Sequence, residues 1–133
     1  MDINKVEELL WIALKKAEEL GVCSTAAFVD EGGHLRALIR MDGGYFGDID
    51  FAMNKAYTAA AWRCETKDFY EDSLPTGELF GMHISNGGKV VTFAGGMPVF
   101  EDGKFIGALG ISGGTVEEDQ LCLEEVKKAL KNS

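Results

Sequence analysis

Two histidines, one lysine set among alanines and an arginine–aspartate pair are the residues of this chain best suited to chemistry. His34 and His83 are its only imidazoles. A neutral imidazole ligates iron, and one is enough to hold a haem. His34 follows the turn Glu31-Gly32-Gly33, where a ring is expected at the surface. His83 follows Phe80-Gly81-Met82, a segment apolar enough to flank a porphyrin. Either ring can equally be an ordinary surface residue. Lys55 lies among Ala52, Ala56 and Ala59, at the border of an apolar helix face. It can snorkel to solvent, or turn inward to meet a carboxylate, that of Asp42 or of a ligand. Arg40 ends a strand and can join it, since a guanidinium captures carboxylates in a bidentate way; it can also be a plain surface charge.

Two glycine-rich loops could carry a ligand or simply turn the chain. Ser112-Gly113-Gly114 opens a helix, and its amides with Thr115 can bind an anion or cap the helix. Gly95-Gly96-Met97-Pro98 joins two strands; its glycines permit positive φ and close backbone approach, or an ordinary bulge. Conventional enzyme motifs are absent: there is no Gly-x-Ser-x-Gly and no Walker loop. Cys23, Cys64 and Cys122 are odd in number and widely separated, with no zinc spacing. They read as free thiols in a reducing cytosol, and no metal besides a haem iron is expected.

The elements that must position these residues follow from periodicity. Asp2 can cap a helix from Ile3, with Val6, Leu10, Ala13 and Ala17 at three- and four-residue spacing, stopped at Gly21. Thr25–Asp30 and Leu35–Arg40 read as a hairpin, hence an antiparallel pair. A second helix is expected over 49–63, four of its six stripe positions (Ile49, Ala52, Met53, Ala56, Ala59, Ala60) being alanine, which allows close approach to a neighbour. Thr66 can cap a short helix reaching about Ser73. Asn86-Gly87-Gly88 reads as a turn. Val90–Phe93 is expected as a strand, then Met97–Phe100, then Lys104–Ser112 after the hairpin signal Asp102-Gly103. Thr115 with Glu118 forms a capping box for a last helix with Cys122, Leu123, Val126, Ala129 and Leu130 inward. The order implies a mostly antiparallel sheet covered by helices, an α+β fold.

At 133 residues, 46% of them hydrophobic, the chain has the size and composition of a single domain over 1–133. The net charge is −9, a poor surface for nucleic acid or an anionic membrane. Residues 3–20 alternate apolar and charged positions and lack the continuous apolar run of an export signal or a span. A cytoplasmic protein is therefore expected.

The ordered set Val29-Asp30-x-Gly32-Gly33-His34-Leu35, Arg40-Met41-Asp42-Gly43, Ala52-x-x-Lys55-Ala56-x-Thr58-Ala59, Thr66, Gly95-Gly96-x-Pro98, Gly107-Ala108-Leu109-Gly110-Ile111-Ser112-Gly113 and Glu118-Asp119 resembles the GlcG/HbpS family. That family includes haem-binding proteins and the C-terminal domain of a corrinoid adenosyltransferase of propanediol metabolism. The resemblance implies a profilin-like fold with a five-stranded antiparallel sheet, and self-assembly into dimers or larger rings. Carried over position by position, it implies a ligand pocket at Arg40, Met41, Asp42, Lys55, Thr66, Gly95, Gly96 and Pro98, with His34 at a position that often bears histidine.

Three functions are open at this level. A haem protein would use His34 or His83 on the iron and Arg40 or Lys55 on a propionate, with Met41, Phe46, Phe80 and Met82 lining an apolar slot. Haem degradation would further need electrons and oxygen, for which the sequence carries no flavin or iron–sulfur site. A binder or enzyme for a carboxylate metabolite would hold its small-molecule ligand through Arg40 and Lys55, with Asp42 orienting Lys55 or moving protons. An oligomeric accessory subunit would use the same residues structurally.

Overall fold

The computed structural model describes residues 1–132. Helix α1 (Ile3–Glu19) begins where the Asp2 carboxylate accepts the Lys5 N–H at 2.9 Å. It buries Val6, Leu9, Leu10, Ala13, Leu14 and Ala17 on one stripe, as the spacing requires. Strands β1 (Thr25–Val29) and β2 (Leu35–Arg40) form the expected hairpin. Helix α2 spans Gly47–Trp62. After it come a 3₁₀ turn (Thr66–Phe69) and three further single turns: α3 (Tyr70–Ser73), a 3₁₀ turn at Met82–Ile84, and α4 (Ser85–Gly88). Asn86 and Gly87 take left-handed backbone angles inside α4, so this segment is the turn its Asn-Gly-Gly sequence implies. Strands β3 (Gly96–Glu101) and β4 (Lys104–Ser112) follow, then helix α5 (Val116–Lys131) with its Thr115–Glu118 capping box.

Among the described residues the sheet has four strands, all antiparallel, in the order β2-β1-β4-β3. The α+β class and the antiparallel pairing are as expected; the fifth strand is not there. Residues 90–93, which read as a strand, run beside α2 without joining the sheet. Val90 and Val91 are buried all the same. The reason is a competing partner: the Val91 N–H donates to the Thr58 hydroxyl at 3.0 Å, where a ladder carbonyl would have been needed. Thr66 also departs from expectation. Glu65 caps the 3₁₀ turn in a reciprocal box with Asp68, and Thr66 is buried.

The strands' alternation sorts two cores. Ala26, Phe28, Met97, Val99, Leu109 and Ile111 face α1 and α5 in the larger one. Val29, Phe105 and Ala108 meet Ala56, Ala59 and Ala60 of α2 on the other face. The alanine stripe lets α2 lie very close to the sheet. A Cβ on Gly110 would fall on the Ala52 carbonyl oxygen and the Ala56 nitrogen. No helix among the described residues is long and apolar enough to cross a membrane.

This contact sets a stability test. Gly110→Ala must push α2 off the sheet and is expected to cost at least about 2 kcal/mol, the scale of an overpacked core. Gly47→Ala, at an open helix position with nothing within 4 Å of the added carbon, should change stability by less than about 1 kcal/mol. Urea midpoints measure both; equal midpoints for the two variants would contradict the close packing.

Candidate functional site

Lys55 is a charged residue on the inward stripe of α2, one position before Ala56. The stripe leaves it no route to solvent: its side chain is 1% exposed. An ammonium taken out of water needs a partner and filled hydrogen bonds, and Lys55 has both. Its Nζ donates to Asp119 Oδ2 at 3.0 Å and to the Ile111 carbonyl at 3.0 Å. The Phe93 ring covers it, with the centroid 5.3 Å away. Asp119, 4% exposed, lies on the inward stripe of α5 with Cys122, Leu123 and Val126. Its other oxygen accepts the Gly114 N–H at 3.2 Å. One ion pair thus ties α2, the end of β4 and the start of α5. Burial pulls the Lys55 pKa below the ordinary lysine value, against the opposing pull of Asp119 and Asp48. Burial likewise raises the Asp119 carboxyl, opposed by Lys55.

The glycines around this pair clear space for it. A Cβ on Gly95, where φ is +130°, would stand 2.6 Å from Lys55 Nζ. One on Gly96 would meet the Lys55 carbonyl. The Gly96 N–H donates to Thr66 Oγ1 at 2.9 Å. Lys55, Thr66, Gly95 and Gly96 therefore come together, and Pro98 continues β3 from them. They form a closed packing unit with no space for a ligand at the ammonium. The helix-opening amides of Gly114 and Thr115 are also taken, by Asp119 and Glu118.

Arg40, Met41 and Asp42 are elsewhere. They line an open groove of about 670 Å³ with Trp11, Leu14, Lys15, Glu18 and Ile39, between α1 and the end of β2. Asp42 does not meet Lys55; Asp119 does. A single anion held jointly by Arg40 and Lys55 has no place in this arrangement.

The two histidines differ sharply. His34 is on the β1–β2 turn with its side chain 82% exposed, its Nδ1 3.3 Å from Asp30 Oδ1. The same Asp30 oxygen accepts the Gly32 and His34 N–H groups at 2.9 Å each. These bonds hold the Asp30 carboxyl below its ordinary pKa, the His34 amide contributing most. His83 instead lines a groove of about 400 Å³ with Gly47, Asp50, Phe51, Asn54, Gly88 and the segment Val90–Phe93. Phe51 and Phe93 pack together there, with ring centroids 5.6 Å apart. Its volume is within the roughly 300–1,000 Å³ usual for small-molecule sites. Phe46, Phe80 and Met82, expected in an apolar slot, are not among the residues that line it, and Phe46 and Phe80 are strongly exposed. Met41, expected in the same slot, packs on the main core instead. Val90, Val91 and Phe93 belong to a segment that reads as a sheet strand, which gives no sign that it walls a groove, and Phe51 lies off the alanine stripe of α2.

Two of the three thiols are held in environments that oppose the thiolate. Cys122 is in the core, and burial pushes its pKa up to about 12. Cys64 is raised by burial and by Asp68 and Glu65, so neither favours the thiolate.

A family model described as haem-degrading protein, HbpS-like, matches residues 1–127. An uncharacterized 15.0 kDa protein from the dhaT–dhaS intergenic region of Citrobacter freundii is 41% identical over 109 residues, covering 82% of this chain and 77% of that protein. The corrinoid adenosyltransferase PduO of Citrobacter freundii is 34% identical over 130 residues; these are 98% of this chain but only 39% of that enzyme. A solved PduOC–haem complex superposes with a TM-score of 0.91 at 32% identity, covering 97% of this chain and 94% of that one.

The buried pair makes its own prediction. Lys55→Met leaves Asp119 charged and unpartnered and is expected to cost about 3–5 kcal/mol, as is Asp119→Leu for the converse reason. The double variant should recover most of that loss. Chemical denaturation of the four proteins measures the cycle; losses that simply add would show that the two side chains do not act as a unit.

Proposed function

The chain belongs to the HbpS-like family, and on that premise we propose that it is a haem-binding protein whose iron ligand is His83. The observation that carries the reading is the groove itself: an accessible imidazole beside an apolar wall of Phe51, Val90, Val91 and Phe93. A haem needs a flat apolar contact and one axial nitrogen, and these residues supply both. A haem complex of a relative 32% identical to this chain supports the same ligand class.

The fit extends to the ring and the iron rather than to the propionates. Asp50 lines the groove, whereas among the described residues no lysine or arginine does. Lys55 is enclosed and Arg40 is in the other groove. Bound haem would supply an iron centre for electron transfer or oxygen chemistry. The chain's part is to present the His83 nitrogen, cover one face with aromatic and valine side chains, and keep water from that face. The exposed Phe46, Phe80 and Ile84, each within three positions of Gly47 or His83 along the chain, support self-association of the protein, and a cytoplasmic location remains part of the proposal.

Haemin titration followed in the Soret region tests this reading. Wild-type protein and His34→Ala should give the same shifted band; His83→Ala should lose it or bind at least about tenfold more weakly. A band lost in His34→Ala and kept in His83→Ala would overturn the assignment.

A further inference from the structure

We infer that Thr58 is a positioning residue for the His83 groove, setting its valine–phenylalanine wall through one buried hydroxyl. The inference rests on the haem reading of that groove. Residues 90–93 have no strand partner, yet Val90 and Val91 are 4% and 6% exposed. Something other than a β-ladder must hold their backbone. Thr58, itself 0% exposed, does so from α2. Its Oγ1 accepts the Val91 N–H at 3.0 Å and donates to the Lys89 carbonyl at 3.3 Å. A helical threonine commonly turns its hydroxyl back onto its own helix; this one bonds across to a separate segment, both as donor and as acceptor.

The adjacent residue completes the attachment. Tyr57 accepts a hydrogen bond from Asn86 Nδ2 at 2.9 Å on its hydroxyl, and Lys89 Nζ is 5.1 Å from its ring centroid. Tyr57 and Thr58 together hold residues 86–91, the stretch that leads from His83 into the wall. That stretch turns through left-handed angles at Asn86, Gly87 and Gly88. The 3₁₀ turn bearing His83 and the following turn bury none of their own residues. Their position relative to the wall is therefore set at this attachment rather than by core packing. Removing the hydroxyl strands the buried Val91 N–H, a loss that a shape-matched valine cannot repair.

The test compares Thr58→Val with Thr58→Ser. Thr58→Val should weaken haemin binding about tenfold, the scale of one buried hydrogen bond, and shift or broaden the Soret band. Thr58→Ser, which keeps the oxygen, should bind as the wild type does. A readout without haem accompanies it. Amide exchange at Val91 should accelerate in Thr58→Val and not in Thr58→Ser, while Leu109 in the central strand β4 stays protected in both. An unchanged titration in Thr58→Val, beside a wild-type Soret shift, overturns the inference alone. A wild type with no Soret shift overturns the haem reading, and the role of Thr58 toward haem with it. Loss of Leu109 protection in Thr58→Val would show general unfolding and count against a local positioning role.

Discussion

A lysine ammonium without access to water constrains this structure more than any other single group. Enclosing it is costly unless an anion and further acceptors are already in place. Asp119 from α5 and the Ile111 carbonyl from β4 provide them. The same contact requires α2 to lie close on the sheet, which only small residues permit. Gly110 passes under Ala52 and Ala56, and Gly95 and Gly96 pass the lysine itself. The alanine stripe, the glycines of the strands and the carboxylate at the start of α5 thus answer one electrostatic demand. Lys55 and Asp119 are scaffold by this account.

The groove is made by the opposite property of α2. Its N-terminal half leaves Phe51 half in solvent, and Phe93 bridges the two regions. The Phe93 ring covers the lysine and also packs at a tilt against Phe51 in the groove wall. Groove wall and ion pair are separated by one aromatic side chain. A ligand in the groove therefore meets an apolar face and an imidazole, with the buried charge screened behind the ring.

Much of this was legible in the sequence. Helical periodicity located α1, α2 and α5, and turn chemistry located both hairpins, because each rests on local preferences of a few neighbouring residues. The partner of Lys55 was legible in principle as well. Asp119 is on the inward stripe of its helix as Lys55 is on its own, and a charge on an inward stripe needs a partner of opposite sign. Asp42, open as a partner beside a ligand's carboxylate, is nearer in sequence but lies past the end of β2 in the other groove. Val90–Phe93 had the composition of a strand, and nothing local could reveal that a threonine more than thirty positions earlier would take its amide. Arg40 and Lys55 share the family's motif but not one pocket, since order along the chain does not record which face of a sheet a residue reaches.

The chain's membership in the HbpS-like family and its likeness to a haem-bound relative direct attention to haem, and the division between enclosed ion pair and open groove gives the His83 proposal a physical form. A crystal structure of the protein grown with haemin tests this division most directly. The account predicts iron on His83, the ring against Phe51 and Phe93, and Lys55 still bonded to Asp119. Iron on His34, or a propionate that has drawn Lys55 away from Asp119, would contradict it.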